Sequence, residues 1–174
     1  MPRPPIVPKV SALGDHRPPT ARLPGVSDQL IPVPATAADA AEVLVLQRCC
    51  WVSEAIANST MDIPPLHESL EAVQGWLPRA WVFLDGGRLI GAVRGFSDGD
   101  SWQIGRLMVA PDRQGEGLGG LLLRHIESQA PAGTHWHVLF TGAGSLANQA
   151  RYRHGGYQEF KAEDGLVYLR KPAN

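Results

Sequence analysis

Three glycines alternate along the segment that joins a hydrophobic strand pattern to a leucine-rich helix pattern. Gly115, Gly117 and Gly119 lie between Pro111 and Leu121. Glycine allows backbone φ values that are closed to other residues, and it lets a ligand approach the main chain closely. The first N–H groups of a helix lack intrahelical partners and, together with the helix dipole, attract anions. The segment therefore predicts a loop that binds a phosphate or pyrophosphate group.

Two common phosphate-binding patterns fit this segment less well. Gly115 and Gly120 have the spacing of a P-loop, but Leu121 stands where the lysine that reaches the phosphates is required. A Gly-x-Gly-x-x-Gly pattern also matches formally, yet the next strand, which ends near Thr141, offers no acidic residue for a ribose. Nucleotide hydrolysis and dinucleotide binding are therefore disfavoured.

A second candidate site lies on the last predicted helix. Ser145, Asn148 and Tyr152 are spaced three and four residues apart, so they share one helix face. A phenol with a pKa of about 10 can protonate a basic leaving group and is otherwise inert at neutral pH. The alternative is a solvated polar face on which Tyr152 only packs.

The first predicted helix carries a third group of candidates. Gln47, Trp51 and Glu54 share a face, and a tryptophan beside a carboxylate suits a cationic amine. Glu68 follows two prolines at the start of the next helix, where it either binds a substrate or stabilises the helix dipole. Arg94 and Arg106 could contact an acidic substrate group, a phosphate or only solvent. The alternative for the first helix is a purely structural role, in which Trp51 packs on the sheet and Glu54 is solvated.

The elements that must position these residues follow from periodicity and turn signals. The first helix has an apolar face of Val45, Cys49, Val52 and Ile56, and Pro64 and Pro65 end any helix that follows it. Strands joined by turns are antiparallel, and strands joined by helices are usually parallel, so the order β-α-α-β-β-β-α-β-α-β-β predicts an α/β fold with a mixed sheet. Strands are predicted at 29–33, 81–84, 88–96, 101–109, 135–140, 157–160 and 166–170, and helices at 36–57, 69–77, 117–129 and 145–154.

Length and composition bound the function. Of the 15 prolines among 174 residues, nine lie in residues 1–35, which predicts a flexible leader over residues 1–28 and one folded domain over residues 29–174. The formal net charge of −1 gives no basic excess for nucleic acid. No apolar run is long enough to span a membrane.

The positions of the cysteines and histidines indicate a reducing setting and no metal or thiol chemistry. Cys49 and Cys50 are neighbours that cannot easily bridge each other, which favours a reducing, cytoplasmic setting. Both lie in an apolar helix with no histidine nearby in sequence, so neither is expected to be a nucleophile. His135 and His137 have no third ligand at a recognisable spacing, so no metal site is expected.

The segment Gln114-Gly115-Glu116-Gly117-Leu118-Gly119 resembles motif A of the GNAT acetyltransferase superfamily. The resemblance implies a mostly antiparallel, mixed sheet of six to seven strands with about four helices and a splayed parallel strand pair at the acyl-CoA site. It also implies acetyl-CoA as co-substrate. Its pantetheine arm would lie along Leu107, Met108 and Val109, and its pyrophosphate would contact Gln114, Gly115, Gly117, Leu118, Gly119 and Gly120.

The last helix resembles motif B of the same superfamily through Asn148, Tyr152, Gly156 and Tyr157. The family spacing leaves open whether Ser145 or Asn148 contacts the cofactor. The resemblance implies that Tyr152 protonates the leaving thiolate, that Glu54 or a water takes the amine proton, and that Trp51 and Glu68 line the acceptor cleft.

The activity implied is direct acetyl transfer to an amine of a small molecule or protein, by a chain that could form a homodimer. Strand 101–109 lacks the carboxylate that many members keep there. A non-catalytic acyl-CoA-binding module with the same fold is therefore the alternative.

Overall fold

The computed structural model describes residues 30–173, so the predicted leader of residues 1–28 lies outside the described residues. The strands are β1 (Val33–Pro34), β2 (Ala80–Asp85), β3 (Arg88–Asp98), β4 (Ser101–Val109), β5 (Trp136–Gly142), β6 (Gln158–Glu163) and β7 (Leu166–Pro172). The helices are α1 (Ala40–Ala57), α2 (Pro64–His67), α3 (Leu70–Trp76), α4 (Leu118–Ser128) and α5 (Leu146–His154). Across residues 30–173, no helix combines the length and the apolar character needed to cross a bilayer.

All seven strands form one mixed sheet in the order β1-β2-β3-β4-β5-β7-β6. Among the strands of residues 30–173, only β4 and β5 are parallel, and they pair where Ser101–Gln103 lies beside Trp136–Val138. Beyond that point the two strands separate, although each continues for several residues. This confirms the predicted α/β class with a mostly antiparallel sheet and one splayed parallel pair. The described residues contain five helices instead of about four, because α2 is an additional short helix.

An irregularity in β4 lies next to the separation of the strands. The register between β3 and β4 shifts between Ala92 and Arg94, so β4 carries an extra residue there. Arg106 has a φ of +52°, a left-handed conformation that is uncommon outside glycine. A bulge of this kind bends a strand and redirects its side chains. In this chain the bulge coincides with the half of β4 that has left its partner β5.

The core lies on both faces of the sheet. Of the apolar stripe that the spacing of Leu118, Leu121, Leu122 and Ile126 predicts for α4, Leu121 is half-buried and the other three are buried, and the helix packs against β3 and β4. Helix α1 also packs against β3 and β4, and α2 and α3 pack against α1. Gln149 and Tyr152 of α5 are also buried, so both α4, which follows the glycine loop, and α5 are anchored in the core.

The predicted buried face of α1 is wrong. Val45 is 60% exposed and Ile56 is 70% exposed, and Cys49 and Val52 also face solvent. The side chains buried on this helix are those of Ala40, Val43, Leu46, Gln47 and Ala55. Apolar residues occur on every side of α1, so periodicity alone did not decide which face packs on the sheet. The inward face includes the polar residues that sequence spacing had grouped around Trp51.

The expectation that Pro64 and Pro65 terminate helical structure is also wrong. They begin the single turn α2, because proline at the first helical positions forfeits no intrahelical hydrogen bond. Ser69 caps the next helix, α3, by accepting a hydrogen bond from the Ala72 N–H at 3.2 Å. Most of the other boundaries differ from prediction by one to three residues, and β4 matches.

Two glycine positions provide a paired stability prediction. A Cβ at Gly95 would overlap the indole of buried Trp102, whose Nε1 donates to the Ile126 carbonyl at 2.8 Å. We expect Gly95→Ala to lower the free energy of unfolding by about 1–3 kcal/mol through overpacking. A Cβ at Gly75, inside α3, meets no atom within 4 Å, so Gly75→Ala should raise it by about 0.5–1 kcal/mol. Urea denaturation measures both free energies of unfolding, and equal values for Gly95→Ala and Gly75→Ala would contradict the packing argument.

Candidate functional site

The glycine loop has the open backbone expected of a ligand-binding segment. Gly115 and Gly117 have φ values of +85° and +84°, and Gly117 is the N-cap of α4. A Cβ built at either glycine meets no atom within 4 Å. The N–H groups of Leu118 and Gly119 follow at the first turn of α4, where no intrahelical acceptor exists. Open space therefore lies in front of a helix N-terminus that favours an anion.

The acidic residue inside this loop is held by an arginine. Arg113 Nε donates to the Glu116 carboxylate at 3.0 Å, and its Nη1 donates to Asp85 at 2.6 Å. A second, bidentate pair joins Arg88 to Asp112 at 2.7 Å for each contact. These pairs neutralise Glu116 and attach the loop to the β2–β3 hairpin. The negative charge of Glu116 therefore does not stand alone beside the anion-binding N-terminus.

The strand before the loop presents mainly its backbone. Met108 is buried in the core, while Leu107 and Val109 are half-buried. The Val109 carbonyl accepts hydrogen bonds from the Cys50 thiol at 3.3 Å and from Gln114 Nε2 at 3.2 Å. Five of the predicted cofactor residues therefore adjoin one another: these three, Gln114 and the first glycine of the loop. Burial raises the pKa of the Cys50 thiol to about 11, which keeps it protonated and unreactive at neutral pH.

The first turns of α4 carry a basic residue that sequence analysis missed. A Cβ at Gly120 would lie 3.4 Å from Arg124 Nη1, so the Arg124 guanidinium extends back over the first turn. Gly119 has Val109 as its nearest neighbour, at 3.8 Å from a built Cβ. The spacing of four residues between Gly120 and Arg124 was the available signal, since such residues are neighbours on a helix.

The end of α1 meets the beginning of α5 in a polar network. The Glu54 carboxylate accepts a hydrogen bond from Ser145 Oγ and another from Asn148 Nδ2 at 2.7 Å. Asn58 Nδ2 donates to Ser145 Oγ at 2.9 Å, and Asn58 Oδ1 accepts from the Gly144 N–H at 2.8 Å. The predicted base candidate and both predicted cofactor contacts of α5 are therefore brought into one group. Sequence analysis missed Asn58.

Tyr152 lies in the same region and is 9% exposed. Burial, opposed by Arg151 and reinforced by the nearby Glu54 carboxylate, raises its pKa to about 12. Among residues 30–173 no side chain or carbonyl is hydrogen-bonded to its hydroxyl, and its ring packs edge-on against Tyr157 with centroids 6.1 Å apart. The phenol therefore keeps its proton across the neutral range and has that proton available to donate.

Glu68 is tied to its neighbours by three side chains. Its carboxylate accepts hydrogen bonds from Arg106, from Gln47 Nε2 at 2.9 Å and from Trp76 Nε1 at 3.3 Å. Burial acts to raise the pKa of Glu68, but these three donors outweigh it, so the pKa lies below its usual value. The carboxylate is therefore ionised at neutral pH and already has partners.

Three arginines converge beside Glu68, and Arg79, Arg94 and Arg106 are called the arginine cluster below. The Arg106 guanidinium lies 5.7 Å from the centroid of the Trp51 ring, which places a protein cation where sequence analysis expected a substrate cation. The Arg94 guanidinium lies 5.3 Å from the Trp76 ring and 5.8 Å from the Phe96 ring. Sequence spacing could not pair residues of α3 with residues of β3 and β4, so the cluster as a unit was not foreseen.

His135 and His137, which were considered as metal ligands, are separated by burial. His137 is 6% exposed, whereas His135 is exposed and lies 3.3 Å from Asp100. Over the part of the chain that the structure describes, no three His, Cys, Asp or Glu side chains are grouped as metal ligands would be.

Comparison with known proteins relates this chain to one enzyme superfamily. The sequence profile of the acetyltransferase (GNAT) domain matches residues 77–159, which span β2 to β6. No curated protein gives a significant match. Solved structures give many matches.

The PaiA N-acetyltransferase from Thermoplasma acidophilum, solved with coenzyme A, has a TM-score of 0.70 at 13% identity, covering 83% of this chain and 99% of its own. An acetyltransferase from Thermus thermophilus has a TM-score of 0.64 at 21% identity, and the match covers 82% of this chain and 96% of its own. The ribosomal-protein-S18-alanine N-acetyltransferase from Escherichia coli has a TM-score of 0.64 at 17% identity, and the match covers 83% of this chain and 94% of its own.

These solved structures share the overall fold of this chain, and the matching profile contains the glycine loop and the Ser145–Tyr152 helix. Fold and sequence profile agree on the same region of the chain. The chain therefore belongs to the GNAT acetyltransferase superfamily.

Proposed function

We propose that the chain is an N-acetyltransferase that transfers an acetyl group directly from acetyl-CoA to an amine. The observation that carries this proposal is the open glycine backbone at the N-terminus of α4, beside the half of β4 that has separated from β5. These residues can accommodate acetyl-CoA, because the loop leaves room for its pyrophosphate and supplies unpaired N–H donors.

The cofactor would be held by two surfaces of the chain. Gln114, the glycines of the loop and Leu118 would contact the pyrophosphate through backbone N–H groups, with Arg124 adding a positive charge. Leu107, Met108 and Val109 would contact the pantetheine arm through the free edge of β4. Asn148 is the better candidate of the two α5 residues for a further contact, since Ser145 is 4% exposed and Asn148 is half-buried.

Acetyl-CoA supplies an activated thioester, and the chain supplies proton transfer around it. Tyr152 would donate its phenolic proton to the departing thiolate, for which its raised pKa keeps the proton in place until it is needed. Glu54 would take the amine proton, directly or through a water molecule. Its carboxylate is oriented for this by Asn148 and Ser145. Placing both proton-transfer residues in one region supports attack without a covalent enzyme intermediate.

The acceptor cleft would be lined by Trp51 and by Glu68, whose role is to hold Arg106 in place. A small-molecule or protein amine is the expected partner, and a homodimer and a cytoplasmic location remain predictions from the sequence.

Thermal unfolding with acetyl-CoA, CoA, NADH and ATP, each in large excess, tests the cofactor assignment. A ligand at 100 times its Kd adds about 2.7 kcal/mol of stability, which is a readily visible rise in midpoint. We expect a rise with the two CoA compounds and none with NADH or ATP. A rise with NADH alone would overturn the proposal.

Thiol release from acetyl-CoA with a panel of amines then tests the reaction. Acetyl-CoA binding with no turnover on any amine would leave the non-catalytic binding module as the function.

A further inference from the structure

We infer that the acceptor is an amine that also carries an anionic group, and that Arg94 binds this group. The inference rests on the proposed function and names the class of its substrate. It is carried by the arginine cluster, in which the Arg106 guanidinium lies over the Trp51 ring, and which contains more positive charge than the one carboxylate beside it, Glu68, can balance.

Arg94 is positioned as a ligand-binding residue. It lies on β3 opposite Gly105 of β4, and its Nε lies 3.4 Å from where a Cβ of Gly105 would be. The absence of a side chain at Gly105 therefore gives the guanidinium its place beside the β4 bulge. The rings of Trp76 and Phe96 flank the guanidinium, and stacking on aromatic faces fixes the direction of its planar set of donors.

The donors of Arg94 have no acceptor in the described chain. Between residues 30 and 173, no carboxylate, carbonyl or hydroxyl accepts a hydrogen bond from Arg94, and its Nε is buried without a partner. Gln47 Oε1 and Arg106 Nε are likewise buried and unpartnered, so three of the five such atoms in the described residues belong to this one region. Buried polar groups are normally satisfied, so these atoms call for a polar partner. The two arginine nitrogens lack an acceptor, whereas Gln47 Oε1 lacks a donor.

The charges of the region identify the sign of that ligand. Among the described residues, Glu68 is the one carboxylate whose charge opposes those of Arg106 and Arg79 at Arg94, and Glu68 is already bonded to Arg106. Burial, together with repulsion from Arg106 and Arg79, lowers the pKa of Arg94 to about 10. An anion bound here would offset that repulsion and satisfy the free donors. Carboxylate and phosphate share this chemistry, because a guanidinium recognises both in a bidentate manner.

The position of the cluster places the anionic group away from the reacting amine. Gly105, opposite Arg94, precedes Val109 by four residues of strand, a separation of about 13 Å before the bulge shortens it. An acceptor whose amine reaches the thioester near Val109 could therefore reach Arg94 with an anionic group several bonds away.

Acetylation of matched amine pairs tests this inference. The probes are ω-amino carboxylates from glycine to 6-aminohexanoate, each with its carboxamide, and phosphoethanolamine with ethanolamine. We expect at least one anionic member to exceed its neutral partner about tenfold or more in kcat/KM, in keeping with a charge-assisted bidentate contact. The carboxylate and phosphate arms identify which anion is preferred.

The variant Arg94→Gln should lower kcat/KM for that anionic acceptor about 10- to 100-fold, mainly through KM, and change the neutral partner less than about threefold. Arg170→Gln is the matched control, because Arg170 is also stacked on two rings, Trp136 at 4.2 Å and Phe160 at 5.0 Å, but on strand β7. It should leave the preference unchanged.

Two failures are distinguishable. If acetyl-CoA does not raise the unfolding midpoint, the proposed function itself is wrong. If acetyl-CoA binds but neutral amines are the better acceptors, or no anionic amine is acetylated, the inference about Arg94 is overturned while the cofactor assignment stands. Retention of the anionic preference in Arg94→Gln would overturn it as well.

Discussion

Gly117→Asp should abolish acetyl-CoA binding. The substitution places a carboxylate in the open space in front of α4, where the pyrophosphate would lie, and like charges in that position repel. We expect Kd for CoA to rise at least about 100-fold, which corresponds to about 2.7 kcal/mol. Isothermal titration calorimetry of the folded variant measures this directly.

Gly133→Asp is the matched control for this prediction. Gly133 has a φ of +87°, and a Cβ built there also meets no atom within 4 Å, but it lies in the turn between α4 and β5. Both variants should lose about 1–3 kcal/mol of stability from the same backbone strain. Only Gly117→Asp should lose affinity. Normal CoA binding by Gly117→Asp, or equal loss in both variants, would remove the loop from the cofactor site.

Tyr152→Phe should lower kcat about 100-fold or more while leaving the affinity for acetyl-CoA nearly unchanged. The ring remains to fill the buried site, and only the proton that would reach the thiolate is lost. Steady-state kinetics with the preferred amine, together with CoA titration, separates the two quantities. Tyr168→Phe removes a hydroxyl from β7 and should leave kcat unaltered. An unchanged kcat in Tyr152→Phe would exclude this tyrosine as the proton donor.

The pH dependence gives an independent check on the same residue. The folded pKa of Tyr152, about 12, lies above its ordinary value of 10, so the folded state retains a proton that the unfolded state releases first. The stability contributed by this difference is fully present below pH 10 and is lost as the pH rises towards 12. Wild-type protein should therefore lose stability relative to Tyr152→Phe in that interval, and the two should have parallel profiles below it.

The sequence was informative where residue type dictates local geometry. Glycine permits positive φ values, and two of the three alternating glycines, Gly115 and Gly117, adopt them at the predicted junction of β4 and α4. The spacing of Ser145, Asn148 and Tyr152 placed them on one face of α5, as observed. Strand β4 was bounded correctly because a glycine turn begins it and Pro111 follows it.

The sequence was uninformative where burial depends on tertiary packing. The exposed Val45 and Ile56 of α1 have the same residue types as a buried face, and only the contacts of α1 with the sheet distinguish the two. Pairings between distant elements, such as Glu54 with Asn148 or Arg94 with Trp76, leave no periodic signal in the chain. The sequence pointed to Arg94 and Arg106 individually, but only the fold shows that they lie together with Arg79 and that their charge is unbalanced.

Under the proposed function, the inward face of α1 would determine how far apart the two ends of the reaction lie. Gln47 holds Glu68 at the arginine cluster, and Glu54 contacts Ser145 and Asn148 at the thiolate end. Seven residues of helix separate them, about 10 Å along the axis. Because an α-helix does not stretch, this fixed distance would limit the length of the proposed acceptor. A different acceptor length would require new side chains on α1, and a one-residue insertion between Gln47 and Glu54 would turn one end away by about 100°.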